Sequence, residues 1–438
     1  MGTAPHHIDP AAARQFAVEV VATLRQAGKQ ALWAGGCVRD QLLGLTPKDY
    51  DVATDALPEE IPAIFRRRKT IPLGVAFGVM TIVGPRNAGQ IEVATFRRDA
   101  TYSDGRHPDA VTFSTPEEDA QRRDFTINGL FFDPLAEQVI DYVEGEEDLR
   151  RGVIRAIGEP RLRIQEDKLR MLRGVRFAAT FGFELDRATT AAIRDQALEL
   201  TVVSAERIAG ELRRMWTLPR RVRSLELLRE TNLLPVILPE SALIADPRRT
   251  DDAGLAPGWQ RTLQLLARLP QPRFPAALAA VLREIRPREM SLAEFTSAIA
   301  SRWHLANDER DEALWLLEQE SLVRAAVAEP WPRVQRVLAA NPSPALLDFA
   351  AGVAEVTNGD VRGIEFCAQK LSQPTNEWDP LPLIFGGDLI AIGLKPGPLF
   401  RAILEHVRDA QLLREITTQS EAIGLARSYA QQHGGDGL

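Results

Sequence analysis

Cysteine is nearly absent: Cys37 and Cys367 are the only two in 438 residues. Two thiols so far apart form neither a zinc-ligand spacing nor a disulfide framework, and they point to a reducing, cytoplasmic setting. Histidine is scarce too. Beyond residue 110 only His304, His406 and His433 occur, so no His-Asp pair suggests an appended metal phosphohydrolase. No apolar run is long enough to span a membrane, and Met1 to Pro10 lacks the apolar core of a secretion signal. There is no internal repeat and no low-complexity tract. Nor is there an excess of positive charge: 53 Lys and Arg face 60 Asp and Glu, a net charge of −7. That argues against indiscriminate nucleic-acid binding. It leaves local basic patches free to hold RNA, because affinity comes from phosphates neutralised at the interface.

What is present is a chain long enough for several domains, with ordinary hydrophobic (45%) and charged (26%) content. Residues 11–27 read as an amphipathic helix. Strand candidates follow at 31–34, 49–53, 77–83, 90–96, 111–113 and 138–142. This implies a small mixed sheet with packed helices, ending near residue 150. From about 160 the pattern is almost wholly helical, with helices over Glu166–Phe183, Thr189–Leu200 and Ala205–Trp216 and proline-rich joints at 269–275, 329–332 and 341–344.

The densest chemistry lies in Ala34-Gly35-Gly36-Cys37-Val38-Arg39-Asp40 and, after it, Lys48-Asp49-Tyr50-Asp51. An apolar strand followed by Gly35 and Gly36 opens a helix, a turn that lets backbone N–H groups approach phosphate. Asp49 and Asp51 are two apart on the next strand and so share a face. Oxygen ligands of this kind suit Mg²⁺ carried in with a triphosphate. Each piece has a plainer reading, a tight turn and a solvated strand face. A two-metal site needs a third carboxylate, and Glu92, on the strand 90–96, is the candidate. In Arg122-Arg123-Asp124-Phe125-Thr126-Ile127-Asn128, Arg forks onto phosphate while Asp124 and Asn128 suit ribose hydroxyls; the plainer reading is a charged turn with Asp124 as an N-cap. In Glu166-Asp167-Lys168-Leu169-Arg170, Asp167 and Arg170 are expected on one helix face. A carboxylate accepts from an exocyclic amine and a guanidinium donates to a ring nitrogen. The pair would therefore accept cytosine and adenine and reject uracil and guanine, at about 1–3 kcal/mol per mismatched buried group. A surface ion pair is the alternative. Ser204 is placed to cap the next helix, with Arg207 reaching Glu211 one turn on.

In this order the motifs resemble the catalytic signature of the polymerase β-like nucleotidyltransferase superfamily. Val38-Arg39-Asp40 resembles its class II branch, the bacterial tRNA CCA-adding enzymes and poly(A) polymerases. The resemblance implies an α+β fold: an N-terminal nucleotidyltransferase head with a small mixed sheet, then an all-helical neck, body and tail. The expected boundaries are 1–150, 151–216, 217–345 and 346–438. It implies that Asp49 and Asp51 bind Mg²⁺, with Glu92 orienting the primer end or a second metal. Gly35, Gly36 and Arg39 would steady the triphosphate, and Arg122, Arg123, Asp124 and Asn128 would contact nucleotide sugar and phosphates. Asp167 and Arg170 would template the base, supported by Glu166, Arg207 and Glu211. Residues 97–116, with Asp104 and Arg106, are similar to the flexible loop of members that add A. The family hinge carries Gly-Gly where this chain has Glu144-Gly145. Residues 385–398 are similar to the tail of bacterial CCA-adding enzymes, and no basic Gly-Arg-Arg-Phe block of the poly(A) polymerases is found.

The expected activity is untemplated addition of CCA to tRNA 3′ ends from CTP and ATP, with release of pyrophosphate. The partners implied are tRNA, gripped at its acceptor stem and TψC region, and the two nucleotides, with no membrane; the chain is a monomer or a homodimer. A-only addition or polyadenylation is the same chemistry on another substrate, and a non-catalytic RNA-binding protein is the alternative of a different kind.

Overall fold

A computed structural model describes residues 8–74, 78–99, 111–245 and 258–433. The chain forms two compact units, residues 1–239 and 240–438.

The first unit opens with α1 (Pro10–Gln26), which starts sharply because the Asp9 side chain accepts from Ala11 N and Pro10 sits in the first turn. Its stripe of Ala13, Phe16, Ala17, Val20, Val21 and Leu24 is buried at helical spacing. Then come β1 (Ala31–Ala34), α2 (Gly36–Leu42), β2 (Asp51–Thr54), α3 (Ile61–Ile64), β3 (Thr70–Gly74), β4 (Val79–Val83), β5 (Gln90–Thr95), β6 (Arg97–Asp99), β7 (Val111–Phe113), α4 (Pro116–Gln121), β8 (Phe131–Asp133) and β9 (Gln138–Ile140). Seven strands make one mixed sheet in the order β3-β4-β5-β2-β1-β8-β9, while β6 and β7 pair separately. All four residues of β1 are buried, as befits a central strand without polar alternation. Strand β1 runs antiparallel to β2 and β8, and β2 runs parallel to β5.

The rest of the unit is helical, with α5 (Gly145–Arg151), a parallel pair of β10 (Val153–Ile154) and β11 (Glu184–Leu185), α6 (Pro160–Glu166), α7 (Arg170–Phe181), α8 (Arg187–Gln196) and α9 (Ala205–Trp216). The second unit is helical throughout its described residues. There the proline-rich joints start helices: Pro275, Pro332 and Pro344 each sit in a first turn, where a missing N–H costs nothing. Among the described residues no single helix is long and apolar enough to cross a membrane.

Several expectations need correction. The strand expected over 49–53 begins only at Asp51, and Asp49 lies in the bend before it. The helix expected over Glu166–Phe183 is broken: α6 ends at Asp167, whose backbone is extended (φ −145°, ψ 106°), and α7 starts at Arg170. Ser204 occupies the N-cap position of α9 but its side chain makes no capping bond. The expected strands 111–113 and 138–142 appear as β7 and β9, whereas β3, β6 and β8 were not expected.

Candidate active site

The end of the sheet where β1 finishes and β2 and β5 begin gathers the carboxylates. In the parallel register Asp51 stands directly opposite Glu92, and both side chains face outward. Asp49 is exposed immediately before them. The Asp51 carboxyl is pushed up to about 6 by the surrounding chain's desolvation and then by the negative charges of Glu92 and Asp49, with Arg123 opposing.

Gly35 occupies a backbone conformation (φ 71°) that L side chains avoid, and a Cβ there would stand 2.8 Å from an Arg123 guanidinium nitrogen. The turn thus brings Arg123 against the carboxylate end of the sheet. Gly36 carries no such demand; a Cβ there would only touch Arg39 at 3.5 Å. The Gly35 N–H donates to Leu130 O at 3.0 Å. Arg39 is buried: it donates to Asn128 Oδ1 (2.5 Å) and Asp40 Oδ1 (2.7 and 2.9 Å) and packs over the Phe177 and Phe181 rings. Its place in the structure is to hold Asn128.

The two arginines after α4 share one buried carboxylate. Asp119 Oδ1 accepts from Arg122 and Oδ2 from Arg123 at 2.9 Å. Burial would raise this carboxyl, but the two guanidinium charges bring it below its ordinary value. The sequence argument passed over Asp119, although its i,i+3 and i,i+4 spacing to both arginines was the available signal. Asp124 is not the cap of the following turn; Phe125 is. Its Oδ1 accepts from Phe125 N (2.8 Å) and Asn128 Nδ2 (3.0 Å), and its Oδ2 from Arg173 (2.5 and 2.8 Å). Against the pull of burial, the Arg173 charge and these bonds hold the carboxyl down at about 2. Arg173 is a second residue the sequence argument missed, one helical turn beyond Arg170.

Asp167 and Arg170 flank the break between α6 and α7 rather than lying along one helix, and Arg170 N donates to Asp167 O at 3.0 Å. Asp167 Oδ1 accepts from Leu169 N (3.0 Å) and Oδ2 from Arg207 (2.8 Å). Arg170 donates to Glu166 Oε2 (2.5 Å), Arg163 O (2.8 Å) and Arg122 O (3.2 Å). The carboxylate has lone pairs and the guanidinium has N–H groups beyond these, which leaves capacity for a base edge. Arg207 therefore pairs with Asp167 rather than with Glu211, the expected partner. Glu211 instead receives Arg176 (2.5 Å) and Arg214 (3.1 Å). The bonds from Arg170 to Arg122 and from Arg173 to Asp124 tie together two blocks nearly 50 residues apart. A cleft of about 320 Å³ lies beside this junction, lined by Arg98, Gln121, Arg122, Arg163 and Glu166 among others. Asp104 and Arg106 lie outside the described residues.

The profile of the Poly A polymerase head domain matches residues 31–155, and that of the "Probable RNA and SrmB- binding site of polymerase A" matches 182–244. A CCA-adding enzyme of Lactiplantibacillus plantarum is 31% identical over 414 residues, 93% of this chain and 94% of that protein. A CCA-adding enzyme of Geobacillus stearothermophilus is 43% identical over 220 residues, 50% of this chain and 53% of its own length. The crystal structure of the Bacillus stearothermophilus CCA-adding enzyme in complex with CTP superposes with a TM-score of 0.68 at 28% identity, over 96% of this chain and 98% of that one.

Proposed function

We propose that this chain, which belongs to the family of CCA-adding enzymes and poly(A) polymerases, is a tRNA nucleotidyltransferase that builds CCA from CTP and ATP. The observation that carries the reading is the joining of three groups within one unit: the Asp51–Glu92 carboxylate rim, the Arg122–Asn128 block and the Asp167–Arg170 pair. The 3′-hydroxyl of tRNA attacks the α-phosphate and pyrophosphate leaves. Glu92 orients the attacking end, a role supported by its register opposite Asp51. Arg122 and Arg123, held apart by Asp119, fork onto the phosphates, and Asp124 with Asn128 reads the ribose. Asp167 accepts from the amine of C or A and Arg170 donates to its ring nitrogen, while Glu166 and Arg207 fix the pair.

Enzymes of this family depend on a divalent metal. Among the described residues no three of His, Cys, Asp and Glu form a closed ligand set. Asp49 and Asp51 fit an open half-site for Mg²⁺, because both are exposed carboxylates two residues apart, with Glu92 directly opposite Asp51. The ion would supply charge stabilisation at the α-phosphate and leaving group. Residues 1–150 would serve as head, 151–216 as neck, and 217–345 and 346–438 as body and tail gripping the acceptor stem and TψC region. Two free, buried cysteines accord with a cytoplasmic location.

The test is incorporation with Mg²⁺ on transcripts ending before C, after C and after CC. Extension of all three to one CCA-length product is the expected result. Extension of the CC-ended transcript alone, by one A, would make it an A-adding enzyme; long A tails would make it a poly(A) polymerase.

A further inference from the structure

Arg39, on α2, has only 8% of its surface exposed. A guanidinium stays charged, so a buried one needs acceptors along its edges. One edge meets Asp40, where Nε and Nη2 donate to Oδ1 at 2.9 and 2.7 Å. The other meets Asn128, where Nη1 donates to Oδ1 at 2.5 Å. The Phe177 and Phe181 rings of α7 cover the group, their centroids 5.3 and 4.7 Å away. What Arg39 reaches is the last side chain of a short buried turn, Thr126–Asn128.

The Asn128 amide therefore lies between two charges of opposite sign. Its oxygen accepts from Arg39, and its Nδ2 donates to Asp124 Oδ1 at 3.0 Å. Against the pull of burial, the Arg173 charge holds the Asp124 carboxyl down at about 2, so it stays ionised. A guanidinium only donates and an ionised carboxylate only accepts. The amide thus fits its slot one way round, since turning it over would break both bonds. Its orientation matters for what remains to be used. Asp124 already receives four N–H groups, from Phe125 N, Asn128 Nδ2, and Nε and Nη2 of Arg173. Asn128 keeps one Nδ2 hydrogen and one Oδ1 lone pair beyond its two side-chain bonds. Of the two residues read as sugar contacts, it is the one with a hydrogen still to give. Its backbone carbonyl accepts from Arg123 at 3.4 Å, so the sugar and phosphate contacts meet at one residue.

We propose that Arg39 is a positioning residue for sugar recognition: by fixing the Asn128 amide it sets the preference of the site for ribose over deoxyribose. This rests on the transferase reading and turns Arg39 to the sugar rather than the triphosphate. The test uses the full chain with Mg²⁺ and a CC-ended transcript, and reads the ratio of kcat/KM for ATP to that for dATP. Arg39→Met should lower that ratio about tenfold, as expected when a charged hydrogen bond no longer orders the amide. On a transcript ending after C, choice of CTP over UTP should stay within about twofold of wild type, since Asp167 and Arg170 bond to other groups. Asn128→Ala should lower the ATP:dATP ratio by a similar factor. Adding Arg39→Met to Asn128→Ala should then change it by less than about twofold, because the two act through one contact. Arg39→Lys guards against a variant that fails to fold. It keeps the charge, but its single ammonium goes to the ionised Asp40 and leaves the amide unheld, so the ratio should fall as well. An unchanged ratio in Arg39→Lys overturns the proposal. So does a KM that rises equally for ATP and dATP in Arg39→Met, the mark of a lost triphosphate contact, or a loss of C-over-U choice in step with the sugar ratio. An unchanged ratio in Asn128→Ala overturns the sugar role of Asn128 and this inference with it. A wild-type chain that extends no transcript is a separate outcome, which removes the transferase reading and everything resting on it.

Discussion

Asp51 pays for its position in stability. Its carboxyl has an ordinary value of 3.8 and titrates near 6 in the fold. Folding therefore favours the protonated form, and the penalty grows from about pH 4 to its full size above pH 6. Asp51→Asn should abolish incorporation yet raise Tm at pH 7.5, with the gain disappearing below pH 4. Thermal melts at both pH values check this, and a variant less stable than wild type at pH 7.5 would contradict it. Mg²⁺ should raise the wild-type Tm and leave the variant's nearly unmoved. Arg207 offers a second test, since it holds the Asp167 carboxylate at 2.8 Å from a helix 40 residues away. Arg207→Ala should lose about tenfold in discrimination of C and A against U, the equivalent of about 1.4 kcal/mol and one hydrogen bond to a charged group. Competition assays with CTP and UTP measure it. Intact discrimination would mean that Leu169 N alone orients Asp167.

Among the elements, α5 shows what a missing glycine costs. Glu144 takes the left-handed conformation (φ 61°, ψ 29°) where the family pattern has glycine. An ordinary side chain there costs about 1 kcal/mol or more. Glu144→Gly should therefore raise the unfolding free energy read from urea melts by up to about 1 kcal/mol, less the entropy glycine adds to the unfolded chain. The next residue permits no such exchange, because a Cβ on Gly145 would stand 2.3 Å from Thr126 O. The elements also show what the sequence could reveal. Strand β1 and helices α1 and α9 were legible because each carries a complete periodic signal: four buried residues, an apolar stripe behind Asp9 and Pro10, and an amphipathic run up to Trp216. Strands β3, β6 and β8 were not, being short runs whose pairing depends on distant partners such as Ile82, Phe113 and Trp33. The break after Glu166 was hidden because nothing between Glu166 and Phe183 is a proline, and the two glycines there, Gly174 within α7 and Gly182 at its C-cap, lie beyond the break. What interrupts the run is the Asp167 side chain bonding Leu169 N two residues on, a local competitor that periodicity cannot register. The partners of the candidate site residues were not legible: the pairing of Arg207 with Asp167 and the burial of Arg39 are tertiary facts.

At the scale of the whole molecule, every candidate nucleotide contact lies in residues 1–239. That unit alone should bind CTP and ATP within about threefold of the full chain, since every proposed nucleotide contact is its own. Its affinity for tRNA should fall by an order of magnitude or more if body and tail grip the RNA. Filter binding and calorimetry on the two forms separate these outcomes, and equal tRNA affinity would remove the second unit from recognition. Gly145 bears on how such variants will be interpreted. The residue that opens α5 presses on the carbonyl of Thr126, and the Thr126 hydroxyl donates to Asp148 at 2.8 Å. Thr126 lies midway between Asp124 and Asn128. A lesion in the joint between sheet and helices will therefore also shift the turn that carries Asp124 and Asn128, and a variant at Gly145 would mimic one in the proposed sugar contacts.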